Sequence, residues 1–171
     1  MSKPEYPTLS IVWMERGDLV KIVKIENDTH ENKDTRWSEK DFLRELKEKN
    51  QVGMVVKDKD KIVGYVIYVL HLKKIHILHL GATQDQYQQV VMAILDKVKS
   101  KLNIGRRVGI SITVRETDLP LQKLLKAEAF KAYEVQRGFF IDTDEDAFLF
   151  KYELPHESSL LTAGTPHEML D

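Results

Sequence analysis

Leu80-Gly81-Ala82-Thr83-Gln84-Asp85-Gln86-Tyr87-Gln88-Gln89-Val90-Val91-Met92-Ala93 is the stretch whose reading decides the fold. It passes from an apolar strand, through a short polar turn, into an amphipathic helix. At such junctions many α/β folds bind a phosphorylated cofactor on the N–H groups of the helix start. The turn normally carries glycine, so that the ligand can approach the backbone. Here glutamines and then valines occupy it. The layout is that of an anion site, and its residues are not the usual ones.

Upstream, Leu9 to Trp13 reads as a strand. Asp18 is placed to cap a helix with Leu19, Ile22, Val23 and Ile25 at helical spacing. The polar, Gly-free stretch Asn27 to Arg36 suggests a loop or a ragged second turn. Ser38-Glu39-Lys40-Asp41 is a capping box opening a helix through Phe42, Leu43 and Leu46 that should end near Asn50. Val52 to Lys57 and Lys61 to Leu70 predict two strands around the turn Asp58-Lys59-Asp60, and Ile75 to Ala82 a third. Downstream, the helix carrying Val90, Val91, Ile94, Leu95, Val98 and Leu102 should stop near Asn103 and Gly105. Val108 to Val114 predicts a strand, and Asp118 with Pro120 starts a helix to about Ala129. Phe139-Phe140-Ile141 and Ala147 to Leu154 predict a closing hairpin with an acidic turn. The order is βααβββαβαββ, an α/β (α+β) domain with a central mixed, mostly antiparallel sheet and helices on both faces. The domain is expected over 9–154, after an irregular lead-in at 1–8 and before an aperiodic tail at 155–171 expected to be mobile.

With 171 residues, one domain is the default. A hydrophobic share of 42% against 31% charged residues provides a packed core with a solvated surface. The net charge of −1 offers no global attraction to nucleic acid or to an anionic membrane. The absence of cysteine excludes disulfides, thiolate catalysis and Cys-based zinc sites. No apolar run reaches the ~20 residues of a membrane span, and Met1 to Pro7 lacks the apolar core of a signal peptide. A soluble, cytoplasmic protein is the expectation.

Four stretches carry a resemblance. They are Trp37-Ser38-Glu39-Lys40-Asp41-Phe42; Ile62-Val63-Gly64-Tyr65; Val114-Arg115-Glu116-Thr117-Asp118 with Phe130; and Phe139-Phe140 with Glu145-Asp146-Ala147. In this order and spacing, over roughly residues 9–154, they resemble the GNAT acetyltransferase superfamily, in particular its ribosomal-protein alanine N-acetyltransferase branch. The resemblance implies the GNAT fold, acetyl-CoA as cofactor, and transfer of acetyl to an amine such as a protein N-terminus. It places cofactor contacts at Leu80, Gly81 and Ala82 through their backbone, at Gln88, Gln89, Val90, Val91, Met92 and Ala93 on the loop and helix start, and at Asp118. It places the substrate groove at Trp37, Glu39, Phe139 and Phe140, with Arg36 nearby.

The departures fall at the chemistry. The family's loop reads Gln/Arg-x-x-Gly-x-Gly/Ala, and two registers are open here, Tyr87 to Met92 or Gln88 to Ala93. In either, the central glycine is a valine, whose methyls are expected to occupy space where a pyrophosphate would meet bare backbone. Thr113 stands where the branch has its base glutamate, and Leu125 where it has the tyrosine that protonates the leaving thiolate. Asp118 replaces the usual Asn, and Ala129 the usual Gly.

Acyl transfer to an amine needs a group that takes a proton near neutral pH, and His79 on the cofactor strand is the candidate base. His71, His76 and His79 suggest a metal site at first sight. Residues three apart on one strand point to opposite faces, however, so no metal is expected from them. Gln88 and Gln89 either donate to phosphate oxygens or form a solvated first turn. Lys97, Lys99, Lys101, Arg106 and Arg107 read as a solvated helix end rather than a nucleic-acid patch. Trp37 either shapes the groove or staples its helix. Two functions follow: an N-acetyltransferase, or a catalytically degenerate module that binds a partner through the same cleft. A homodimer is compatible with both.

Overall fold

The computed structural model describes residues 8–30 and 35–155. The expected lead-in, apart from Thr8, and all of the expected tail beyond Pro155 lie outside the described residues. The chain runs β1 (Leu9–Trp13), α1 (Leu19–Thr29), α2 (Glu39–Lys47), β2 (Gln51–Asp58), β3 (Lys61–Leu70), β4 (Lys74–Ala82), α3 (Tyr87–Lys99), β5 (Gly109–Arg115), α4 (Leu119–Ala127), β6 (Lys131–Phe140) and β7 (Glu145–Glu153). This is the expected order. The seven strands form one sheet, β1-β2-β3-β4-β5-β7-β6, in which β4 and β5 are parallel and every other pair antiparallel. Among the described residues no helix is long and apolar enough to cross a membrane.

Strand alternation gives the sheet two apolar faces. Val55, Tyr65 and Ile67 pack under α1 and α2 with Leu19, Ile22, Ile25 and Phe42. Val66, Ile77, Leu80, Ile110 and Ile112 pack under α3 and α4 with Val90, Val91, Ile94, Leu95 and Leu125. The Ser38–Asp41 capping box forms as expected, with Ser38 N–H donating to Asp41 Oδ2 at 2.7 Å and Asp41 N–H to Ser38 Oγ at 3.3 Å. Helix α2 stops at Lys47, before the Asn50 expected to end it.

Several local readings change. Helix α1 continues to Thr29 instead of yielding to a loop at Asn27. Its inward stripe Leu19, Ile22, Ile25 continues into Glu26, a carboxylate that periodicity counts as polar yet is fully buried. Asp18 does not cap α1; its carboxylate accepts from Glu15 N–H at 2.8 Å and closes a 3-10 turn, Arg16–Asp18. Strand β6 is ten residues long, where only 139–141 was expected, and Ile141 leaves it for the turn, 94% exposed. An edge strand solvated along most of its length carries no apolar alternation to read.

One irregularity matters for the site. The β3–β4 register runs Tyr68↔Ile77 and then Ile67↔His79, so Leu78 is an inserted bulge residue. A bulge shifts side-chain parity by one. His76 and His79 therefore share the α1/α2 face, contrary to the alternation expected of an unbroken strand. His76 pairs there with Ser111 Oγ at 2.8 Å.

Candidate active site

Parallel pairing of β4 with β5 covers only Lys74–Ile77 against Gly109–Ile112. Beyond Ile77 the strands diverge, β5 remaining with β7 while β4 continues to Ala82. The gap lies at the carboxyl ends of two parallel strands, where open α/β sheets bind ligands. A cavity of about 730 Å³ fills it, lined by Leu80 and Gly81 of β4, Tyr87 at the start of α3, Asp118 at the cap of α4, Arg115, and His30 just past α1. Such a volume suits a small-molecule or cofactor arm.

At the β4 wall, Gly81 needs to be glycine, because a Cβ there would run into the Tyr65 ring and hydroxyl. At the α4 wall, Asp118 caps the helix, accepting from Leu121 N–H at 3.2 Å. Burial pushes its carboxyl above the usual range, against the opposing effects of that hydrogen bond and of His30. Burial, and then the nearby Asp118 charge, raise the Tyr87 phenol far above the ordinary value, so it stays protonated. Arg115 bonds Glu145 Oε2 at 2.7 Å and lies 3.9 Å over the Phe140 ring, tying the β6–β7 tip to the cleft. Hydrogen bonds from Thr117, Thr143 and Arg115 lower the Glu145 carboxyl to about 2.

Behind His30 lies a polar cluster sealed within the α1/α2 face. Glu26 Oε2 accepts from Tyr65 OH and bonds His79 Nε2 at 2.9 Å, with His30 Nδ1 at 3.4 Å. Glu26 Oε1 accepts from Trp37 N–H at 3.1 Å. Burial pushes the Glu26 carboxyl up, but His79, His30 and Tyr65 outweigh it and hold it below its ordinary value. For His30 burial dominates and lowers the imidazole below its ordinary value, Glu26 opposing only in part. His30 is thus a neutral ring at pH 7, on the cleft wall.

The expected site residues divide. Leu80, Gly81 and Asp118 line the cleft. His79 does not; it bonds Glu26 and lies 4.3 Å beneath the Trp37 ring, nearly parallel to it. Val90 and Val91 are 0% exposed and belong to the core under the sheet, so their methyls face the core and not the cleft. Gln88 is exposed, Gln89, Met92 and Ala93 are half-buried, and Ala82 is fully buried; none of the five lines the cavity. Trp37 packs between His79 and Phe42, while Glu39 and Phe139 are exposed, so the expected groove residues stay outside the cavity. Thr113 pairs with Leu149 and stays off the cavity wall, and Leu125 is 0% exposed in the core. Within the basic run, Lys99 bonds the Glu128 carbonyl at 2.7 Å and Arg107 the His71 carbonyl at 2.6 Å.

Glu26, His30 and Tyr87 were missed in the sequence. The available signal was the i,i+4 pair Glu26–His30, a carboxylate and an imidazole one helical turn apart on the inward stripe of α1.

No protein-family model and no curated protein matches the sequence. Solved structures match the fold. The ribosomal-protein-S18-alanine N-acetyltransferase from Escherichia coli aligns with a TM-score of 0.71 at 17% identity, over 96% of this chain and 99% of that one. NAA60 from Arabidopsis thaliana, in complex with acetyl-CoA, gives 0.71 at 19% identity, over 86% and 100%. An acetyltransferase of the GNAT family from Streptococcus pneumoniae gives 0.62 at 16%, over 86% and 99%. The chain has the GNAT fold.

Proposed function

We propose that this protein is an N-acetyltransferase that delivers acetyl from acetyl-CoA to a primary amine, with a peptide or protein N-terminus as the acceptor class. The observation that carries the reading is the splay of β4 from β5 beyond Ile77, which opens the cavity along Leu80 and Gly81. The residues present fit the cofactor. The edge of β4 beyond Ile77, which β5 does not cover, can pair with an extended amide-bearing arm as an added strand would. The helix-start N–H groups of α3 suit phosphates and are not obstructed by Val90 or Val91.

Acetyl-CoA supplies an activated acetyl thioester when bound. The backbone N–H groups of β4 that face the gap would polarise the acyl carbonyl. His30, neutral and at the cleft wall, would take the proton from the acceptor ammonium, and the Glu26 carboxylate beside it would stabilise the imidazolium formed. Tyr87 would donate the proton to the leaving sulfur in place of the hydroxyl that Leu125 lacks, and regain one from the acceptor nitrogen, which sheds its second proton as the amide bond forms.

Calorimetric titration with acetyl-CoA, followed by an acetylation assay on peptides with free alanine N-termini, tests the reading. Saturable binding with turnover supports it; no binding at millimolar acetyl-CoA overturns it. The burial of Leu125 in the core favours the second reading, a module that binds through the same cleft without catalysis. Binding without turnover on any amine would support that one.

A further inference from the structure

We propose that Glu26, His30 and His79 form a divalent transition-metal site of the Zn²⁺ class, opening onto the cleft at His30. The carboxylate oxygen and one ring nitrogen from each histidine lie within 4.8 Å of one another. In a tetrahedral site with bonds of ~2.0–2.2 Å the ligand atoms lie ~3.3–3.6 Å apart, so closing the site asks the side chains to draw together by about 1 Å. Glu26 Oε2 already stands 2.9 Å from His79 Nε2 and 3.4 Å from His30 Nδ1. Two imidazoles and one carboxylate are a donor set that zinc takes, leaving a fourth position for water or substrate.

The surroundings hold these ligands in the manner of an outer coordination shell. Trp37 N–H donates to Glu26 Oε1, the oxygen turned away from the histidines. The Trp37 ring, 7° from parallel, fixes the plane of His79. Arg36 Nε donates to the His30 carbonyl at 2.6 Å and steadies the end of α1. Tyr65 OH, bonded to Glu26 Oε2, is a further oxygen at the same point. Among the described residues the approach is past His30, half-exposed on the cavity wall, whereas Glu26 is fully buried and His79 is more buried than His30. The metal would replace the hydrogen bonds among these groups, with Glu26 presenting its carboxylate oxygen and each histidine a ring lone pair.

The site stands apart from the acetyl-transfer reading; its consequence for activity rests on it. A metal-bound His30 has no lone pair left for an acceptor proton, so zinc would act as an inhibitor.

The test is a titration of the chelator-treated, full-length protein with Co²⁺ at neutral pH, followed by Zn²⁺ competition. One equivalent of Co²⁺ giving the visible ligand-field bands of a low-symmetry four- or five-coordinate site, displaced by Zn²⁺, is the expected result. Glu26→Gln, His79→Ala and His30→Ala should each weaken binding by more than the ~10–100-fold that loss of an outer-shell partner costs. If the buried variants fail to fold, His30→Ala at the cavity wall decides. Absence of the bands, or an unchanged affinity in His30→Ala, overturns the proposal. Zinc that binds as expected yet leaves acetyl transfer undiminished keeps the metal site and removes His30 from the role of base.

Discussion

The Val90 side chain lies so close over Gly64 that a Cβ added to Gly64 would overlap Val90 Cγ1. Gly64 of β3 thereby lets the first turns of α3 settle onto the sheet beside the cleft. The carbonyl of Gly81, 3.0 Å from the same Cβ position, blocks escape on the other side. Gly64→Ala should therefore cost ~1–3 kcal/mol in urea denaturation, as overpacking does. Adding Val90→Ala should recover part of that loss, a non-additivity between contacting sites. Full additivity would show that the two residues do not share the space.

Val90→Gly tests whether the valine in the loop closes the anion site. Its side chain is wholly in the core, so the substitution loses ~1.5–3 kcal/mol of burial and roughly a few tenths of a kcal/mol of helix propensity. Acetyl-CoA affinity, measured in the same preparation, should not improve. A marked gain in affinity would return the valine to the phosphate site.

His30→Ala should lower kcat/KM by ~10²–10⁴ if His30 is the base. His79→Ala, which removes a ring that never reaches the cavity wall, should cost less in rate than in stability. The acid limb of the pH profile should follow His30. Its imidazole is lowered from the ordinary 6.5, so activity that needs the neutral ring holds through pH 7 and falls only as pH drops below that value. A limb rising above pH 7 in the wild type and unchanged in His30→Ala would assign the base elsewhere.

Glu26→Leu removes the shared acceptor of Tyr65, Trp37 and His79 and should be strongly destabilising, at ~1–3 kcal/mol for each buried donor left without a partner. The pH dependence has a definite sign. The folded carboxyl is lowered below 4.5, so in that range the unfolded chain binds more protons. Glu26 thus contributes stability above pH 4.5 that is lost as pH falls through its folded value. Glu26→Gln should flatten that acid limb in a denaturation series, and an unchanged slope would remove Glu26 from the linkage.

Ala129→Gly should stabilise the fold by ~0.5–1 kcal/mol. Helix α4 ends in a Schellman motif, Phe130 N–H bonding Leu125 O at 2.9 Å and Ala129 N–H bonding Lys126 O at 3.2 Å. The residue between takes φ 66°, the left-handed conformation that an alanine Cβ opposes. Thermal unfolding of the two proteins side by side checks it; a lower midpoint for the glycine variant would be the wrong sign.

Much of the fold was legible because its signals are local. The capping box at Ser38 and Asp41, the Asp118 start of α4, and the inward stripe of α3 each depend on neighbours within one or two helical turns. Where a local signal failed, the cause was a residue whose environment contradicts its type. Glu26 is a charged group on a buried stripe, so α1 looked finished three residues early. The solvated edge strand β6 offered little apolar alternation, so only its last residues stood out.

The candidate site was less legible, because its geometry depends on distant pairings. His79 was singled out for its place on the cofactor strand, yet the inserted Leu78 changes which face each neighbouring histidine shares. Glu26 and His79 are 53 positions apart and meet only because α1 packs across β3 and β4. The amino-acid sequence by itself determined the periodicities, the caps and hence the order of strands and helices, since these are written in short-range spacing. Only the tertiary structure decided that β4 parts from β5 after Ile77, that Val90 faces the core and not the cleft, and that His30 rather than His79 reaches the cavity. Each of those is set by which segments pack against one another across the sheet, and side-chain direction there follows from register, bulge and packing that no local window contains.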